Sequence, residues 1–173
     1  MSAAVCVTDR AGRPEASRVW PVYEKVFADF GSFEEWARVW DLHSAREGFR
    51  LARAYEGREL VGFAYGYTGE RGQWWTDAVA NTLSPGVARE WLGGHYELVA
   101  MGVLADHRGR GLGTELMVRL TEHLPHSRWL LMTADDESSP ARRLYDRMGW
   151  TPLGPGTRPD TVVMGRPTFA LEK

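Results

Sequence analysis

Five residues, Arg108, Gly109, Arg110, Gly111 and Gly113, lie where an apolar run ends and an amphipathic one begins, in YELVAMGVLADHRGRGLGT, Tyr96–Thr114. A strand feeding a glycine turn that opens a helix is suited to holding an anion. Glycine lets phosphate approach the backbone, and the first turn of the helix offers unpaired N–H groups at the positive end of its dipole. Arg108 and Arg110 add charge with fork geometry. A P-loop would need Gly-Lys-Ser/Thr at its close, whereas Gly113 is followed by Thr114 and Glu115. A dinucleotide Gly-x-Gly-x-x-Gly fails from Gly109, because Thr114 holds the last position, and from Gly111, because Leu116 does; Asp135 or Asp136 nonetheless lies near the distance of its ribose acid. The alternative to all of these is a connecting loop that binds nothing.

The spacing Arg108-x-x-Gly111-x-Gly113 after a strand resembles the acetyl-CoA pyrophosphate loop of the GNAT superfamily of N-acetyltransferases. Further matches follow in order: a strand Arg128–Thr133, a helix Pro140–Met148 and a short strand from Trp150. Within that helix, Leu144-Tyr145-x-x-x-Gly149-Trp150 repeats the family's Leu-Tyr pair before a glycine and an aromatic residue. The motif resemblance spans residues 96 to 153, and the order of elements extends it to nearly the whole chain.

The resemblance implies an α/β fold with a mixed, mostly antiparallel sheet of about seven strands, flanked by helices and splayed at its central strands. It implies acetyl transfer from acetyl-CoA to a primary amine, directly through a ternary complex and without a metal. Backbone groups of Gly109, Arg110, Gly111, Leu112, Gly113 and Thr114 would bind the pyrophosphate, beside Arg108. Met101, Gly102 and Val103 would pair with pantetheine as a further strand, and one of their N–H groups would face the thioester oxygen. Tyr145 would be the general acid, since a phenol of pKa near 10 is protonated at neutral pH. Without the surrounding motif, Tyr145 reads as core between Leu144 and Met148. Two departures stand out. Ser138-Ser139 replaces the asparagine that touches the cofactor in many members, and Ala105 replaces the usual proline before the loop.

An amine of pKa near 10 must lose a proton before it attacks. Glu97, the one acid within the central strand, shares a face with Val99, Met101 and Val103 and is the candidate base; the alternative places it at the strand's solvated beginning. Asp77, Glu34 and His43 are weaker candidates. Trp74 and Trp75 are adjacent, and in an extended segment successive side chains take opposite faces, so one ring would line a cleft. With Tyr65, Asp77 and Glu97 they suggest a partly aromatic, mildly acidic pocket for a small amine. The competing functions are a protein or peptide N-acetyltransferase and a non-catalytic acyl-CoA-binding module.

Positioning these residues requires the following elements. Residues 3–8 read as a strand and Ser17–Phe30 as a helix containing Pro21. A second helix opens with the capping box Ser32-Phe33-Glu34-Glu35 and stops by Gly48. Strands Phe49–Glu56 and Leu60–Thr68 flank a turn at Gly57-Arg58. Residues 69–94 form a long insertion with one short helix marked by Ser84-Pro85. The central strand is Tyr96–Leu104, and helix Gly111–Leu124 packs Leu112, Leu116, Leu120 and Leu124 against it. Helix 140–148 is expected to bury Ala141, Leu144, Tyr145 and Met148, and Thr161–Thr168 is the last strand.

The 173 residues suit one domain, 1–173, able to bury roughly 70% of its unfolded surface. With 43% hydrophobic and 25% charged residues and no apolar run near the ~20 of a membrane span, no membrane partner is expected. The N-terminal MSAAVCVTDR is too polar for a secretory signal, so the cytoplasm is the expected compartment. A lone Cys6 rules out an internal disulfide framework. Net charge −2 argues against a nucleic-acid partner, which leaves a small-molecule amine acceptor and a monomer or homodimer as expectations.

Overall fold

The computed structural model describes residues 2–168. In order these are β1 (Ala4–Thr8), α1 (Arg13–Phe27), α2 (Phe33–Ser44), β2 (Arg50–Glu56), β3 (Glu59–Gly69), α3 (Trp74–Thr82), α4 (Pro85–Trp91) and β4 (His95–Val103). A 3₁₀ turn (Ala105–His107), α5 (Leu112–Thr121), β5 (Arg128–Ala134), α6 (Pro140–Arg147), β6 (Thr151–Pro155) and β7 (Thr161–Pro167) follow. The seven strands are ordered β1-β2-β3-β4-β5-β7-β6 in a mixed, mostly antiparallel sheet, with β4 and β5 parallel at Tyr96–Trp129 and Glu97–Leu130. The chain divides into two compact units, one up to Tyr67 with Val99–Leu124, the other Thr68–Leu98 with the chain from Pro125.

In the first unit α1 starts four residues earlier than expected. Gly12 is its N-cap, Pro14 occupies the first turn, and Glu15 reaches back to accept from Gly12 N–H at 2.7 Å. That single bond, together with Pro14 in the first turn, marks the start that a Ser or Asp cap would otherwise mark. The helix runs through Pro21 and buries Ala16, Val19, Val22 and Tyr23. Of the capping box expected for α2, the Ser32 half forms, with Oγ accepting from Glu35 N–H, while the Glu35 carboxylate accepts from Gly31 N–H one residue earlier. Its Trp36 and Trp40 are fully buried among Tyr23, Phe49, Phe63 and Tyr65. Two glycines set the closest approaches: a Cβ at Gly102 would fall 3.2 Å from Val26, and one at Gly62 would fall 3.2 Å from both Gly102 O and Leu116.

In the second unit the insertion holds two helices where one was expected. It forms α3 and α4, whose Val79, Leu83, Ala88 and Leu92 make a core with Leu130 and Val163. The residues fit so closely that a Cβ at Gly165 would lie 2.7 Å from Trp91 and one at Gly154 2.8 Å from Leu83. Helical periodicity was hidden there because the helices are short, nine and seven residues, and separated by Pro85. Helix α6 also departs from expectation: Ala141 is exposed and Arg142 is buried in its place.

Gly69, at the end of β3, lies against the buried His95 ring, and a Cβ there would fall 2.1 Å from Nε2. Gly69→Ala is therefore expected to cost about 1–3 kcal/mol by overpacking. Urea denaturation should show that cost falling by more than half in a His95→Ala background, because the clash is between these two residues.

Candidate active site

The glycine loop belongs to the first unit. After β4 the chain makes the 3₁₀ turn and enters Arg108–Gly111, where Gly109 has φ +74° and Gly111 φ +81°. Nothing lies within 4 Å of a Cβ placed at either position, so the loop faces open space. Gly111 is the N-cap of α5 and has no side chain to bond the helix's first N–H groups; its carbonyl accepts from Glu115 N–H at 3.0 Å. The first N–H groups of α5, at Leu112, Gly113 and Thr114, thus receive no side-chain cap.

The two arginines act differently. Arg108 Nε donates to Val103 O at 2.9 Å, tying the loop to the end of β4. Arg110 is 58% exposed, with Nη1 3.9 Å from Glu56. Of the strand residues expected to meet pantetheine, Met101 and Val103 are half-buried and Gly102 is buried against Val26 and Phe63. Tyr65 is buried in the aromatic core, its ring 5.2 Å from that of Trp40 and its hydroxyl 3.0 Å from His43 Nδ1.

Glu97 and Tyr145 belong to the second unit. Glu97 is 4% exposed on β4 opposite Leu130, so it does not sit at a solvated strand start. Tyr145 is 7% exposed, and burial pushes its phenol up to about 12. The motif around it has a local cause. Gly149 adopts φ +86°, its N–H donates to Asp146 O, and Trp150 N–H donates to Tyr145 O at 3.0 Å, which makes a Schellman closure of α6. The same turn brings the Trp150 ring within 6.1 Å of the Tyr145 ring. The helix is closed at its start by Ser139, whose Oγ accepts from Arg142 N–H at 3.1 Å, while Ser138 donates through N and Oγ to Asp136.

Sequence reasoning missed Arg142. Its guanidinium pairs with Asp135 at 3.1 Å and Asp146 at 3.3 Å. Desolvation pulls its pKa down, and the bonds to Asp146 and Asp135 more than offset that, so the charge is retained. The i,i+4 spacing to Asp146 was the available signal.

Trp74 and Trp75 lie in the first turn of α3 and not in an extended segment. They still part: Trp74 is 74% exposed, and Trp75 packs against the second unit's core, 6.3 Å from the His95 ring. The exposed Asp77 accepts from Gly72 N–H at 3.0 Å and so closes the turn before the helix. Among the described residues no cluster of three potential metal ligands occurs, and no helix is long and apolar enough to cross a membrane.

The model of the Acetyltransferase (GNAT) family matches residues 16–150, and the chain belongs to that family. It is 36% identical over 101 residues to the GCN5-like protein acetyltransferase Rv2170 of Mycobacterium tuberculosis, a match covering 54% of this chain. The aligned stretch spans about half of that relative's length, 49%. In fold it is similar to an acetyltransferase from Thermus thermophilus, with TM-score 0.71, 17% identity and 97% and 100% of the two chains covered. It is similar also to the ribosomal-protein-S18-alanine N-acetyltransferase of Escherichia coli, with TM-score 0.66, 14% identity and 98% and 97% covered.

Two buried histidines give the fold a pH dependence. Desolvation, with Arg46 nearby, lowers His43 to about 4; desolvation, with Arg128, His126 and Arg71, lowers His95 to about 4. The unfolded chain takes up these protons below about 6.5 while the folded chain resists until about 4, so stability is complete above 6.5 and is lost as pH falls to 4. The loss should be on the order of 2–3 kcal/mol per histidine. Urea midpoints measured from pH 7 to 4 are expected to fall accordingly, and His43→Gln with His95→Gln should flatten the decline.

Proposed function

We propose that this chain transfers an acetyl group from acetyl-CoA to the primary amine of a small molecule, directly within a ternary complex. The observation that carries the reading is the uncapped start of α5 behind Gly109 and Gly111, whose free N–H groups and open approach fit a pyrophosphate. Acetyl-CoA supplies the activated acetyl as a thioester. The chain supplies binding through Gly109–Thr114, with Arg110 adding positive charge, and an N–H from residues 101–103 for the thioester oxygen. Glu97, buried on β4, takes the proton of the attacking amine.

Tyr145 meets the departing sulfur. A phenol near 12 is protonated at every working pH, and full transfer to a thiol of pKa about 8.5 is uphill. Tyr145 therefore acts by donating a hydrogen bond to the charge developing on sulfur. Ser139 and the Schellman turn fix the helix that carries it. Trp74, Trp75 and Asp77 belong to the acceptor side in this reading. A second reading, acetylation of a protein or peptide, is favoured by the names of the M. tuberculosis and E. coli proteins, both of which specify protein acceptors. A non-catalytic acyl-CoA-binding module would have no use for Tyr145.

Gly111→Asp puts a carboxylate at the helix start and a side chain at φ +81°, so acetyl-CoA affinity by calorimetry should fall at least about tenfold with the fold intact. Unchanged affinity in a folded variant would remove the loop from the site. Thiol release with an amine library and a peptide library separates the two acceptor readings by which one is turned over.

Two further substitutions divide the proton roles. Tyr145→Phe should lower kcat by roughly 10²–10⁴, equally between pH 7 and 10, and leave acetyl-CoA binding nearly intact. Glu97→Gln should depress kcat/KM and abolish the acidic limb of its pH profile; a rise in KM for the amine with kcat preserved would make Glu97 a binding group.

A further inference from the structure

We infer that Glu56, at the end of β2, is a positioning residue that holds the glycine loop in its binding geometry through His107. Three observations within the first unit lead there. Glu56 Oε2 lies 2.8 Å from His107 Nε2 and 3.9 Å from Arg110 Nη1, and His107 is the last residue before the Arg108–Gly111 loop. The other ring nitrogen, His107 Nδ1, is buried without a hydrogen-bond partner among the described residues, so among these the contact to Glu56 is the ring's polar anchor. Glu56 also stands directly across the ladder from Glu59, a like-charge pairing that is unfavourable unless a partner elsewhere engages one of the two. A register shift at Ala54/Tyr55 immediately precedes it, and such bulges re-aim the side chains that follow.

The loop is thus tied at two adjacent residues, Arg108 to Val103 of β4 and His107 to Glu56 of the β2–β3 hairpin. Beyond these ties come Gly109 and Gly111, both at positive φ and both in open space. Their backbone conformations are accordingly set from the tied end. Without Glu56 the 3₁₀ turn loses the side-chain contact that fixes its last residue, and the N–H groups no longer converge before the ligand arrives. The contact is to the ring and not to the phosphate, so Glu56 acts through His107.

The inference rests on the proposed binding of acetyl-CoA by this loop, and the test keeps the two apart. In the ligand-free protein, hydrogen exchange of the amides at 105–111 should accelerate about tenfold or more in Glu56→Ala while those of β3 keep their rates. Acetyl-CoA should then bind about tenfold more weakly to Glu56→Ala, with KM for acetyl-CoA rising and KM for the amine changing by less than about twofold. Glu56→Gln, whose amide oxygen can still accept from Nε2, should stay within about threefold of the parent in both measurements. Should Glu56→Ala not fold, His107→Phe removes the same contact from the other side and should reproduce its losses. Unchanged exchange in the loop overturns the latch. So does Glu56→Gln as damaged as Glu56→Ala, which would assign the effect to charge. Faster exchange in a protein that fails to bind acetyl-CoA sustains the latch and discards the acetyl-CoA reading.

Discussion

A helix start can meet an anion only where its first N–H groups are unpaired by its own side chains, and the start of α5 is of that kind. Ser32 and Ser139 close α2 and α6 with side-chain bonds, and Glu15 bonds back to Gly12 at the start of α1. At α5 the cap is Gly111 in the left-handed region, with no such bond. A glycine in place of a serine cap costs only a few tenths of a kcal/mol, but it leaves the loop to be held by other means. Arg108 on Val103 and His107 on Glu56 provide the restraint from outside the helix. The glycines keep the approach clear, and the flanking residues keep it ordered.

The second unit solves a different problem, that of holding polar groups away from water. Arg142 is buried but charged because two aspartates accept from it, each about half exposed and so able to remain hydrated on its far side. His95 is buried and neutral, with Nδ1 accepting from Gly93 N–H. Tyr145 is buried and protonated, fixed by a helix bonded at both ends. For His95 and Tyr145 burial selects the neutral state, whereas for Arg142 the two aspartates hold the charged state against it. For Tyr145 this favours a donor whose proton is always present.

Membership of the GNAT family fixes the kind of chemistry more firmly than the acceptor. The insertion 69–94 illustrates why. In it α3 and α4 use Val79, Leu83, Ala88 and Leu92 to complete a core, Trp75 packs against that core, and Asp77 accepts from Gly72 N–H. Trp74 alone of the pair presents its ring to solvent.

What the sequence determined by itself is the set of features that depend on neighbours a few residues away. The start of α2 at Ser32, the closure of α6 through Gly149 and Trp150, and the glycine turn into α5 are short-range backbone solutions, and each stands where the residues placed it. Outside the insertion the order of strands and helices was legible for the same reason, since hydrophobic period is local. Tertiary structure alone decided which polar residues went inside. Glu97 could have begun a strand in water, and Arg142 could have faced out beside Ala141; both are buried because of what packs over their elements. The contact of Glu56 with His107 joins residues of different strands' ends that no local pattern relates. Burial and long-range pairing are set by the packed chain as a whole, and so they became visible only when the chain was folded.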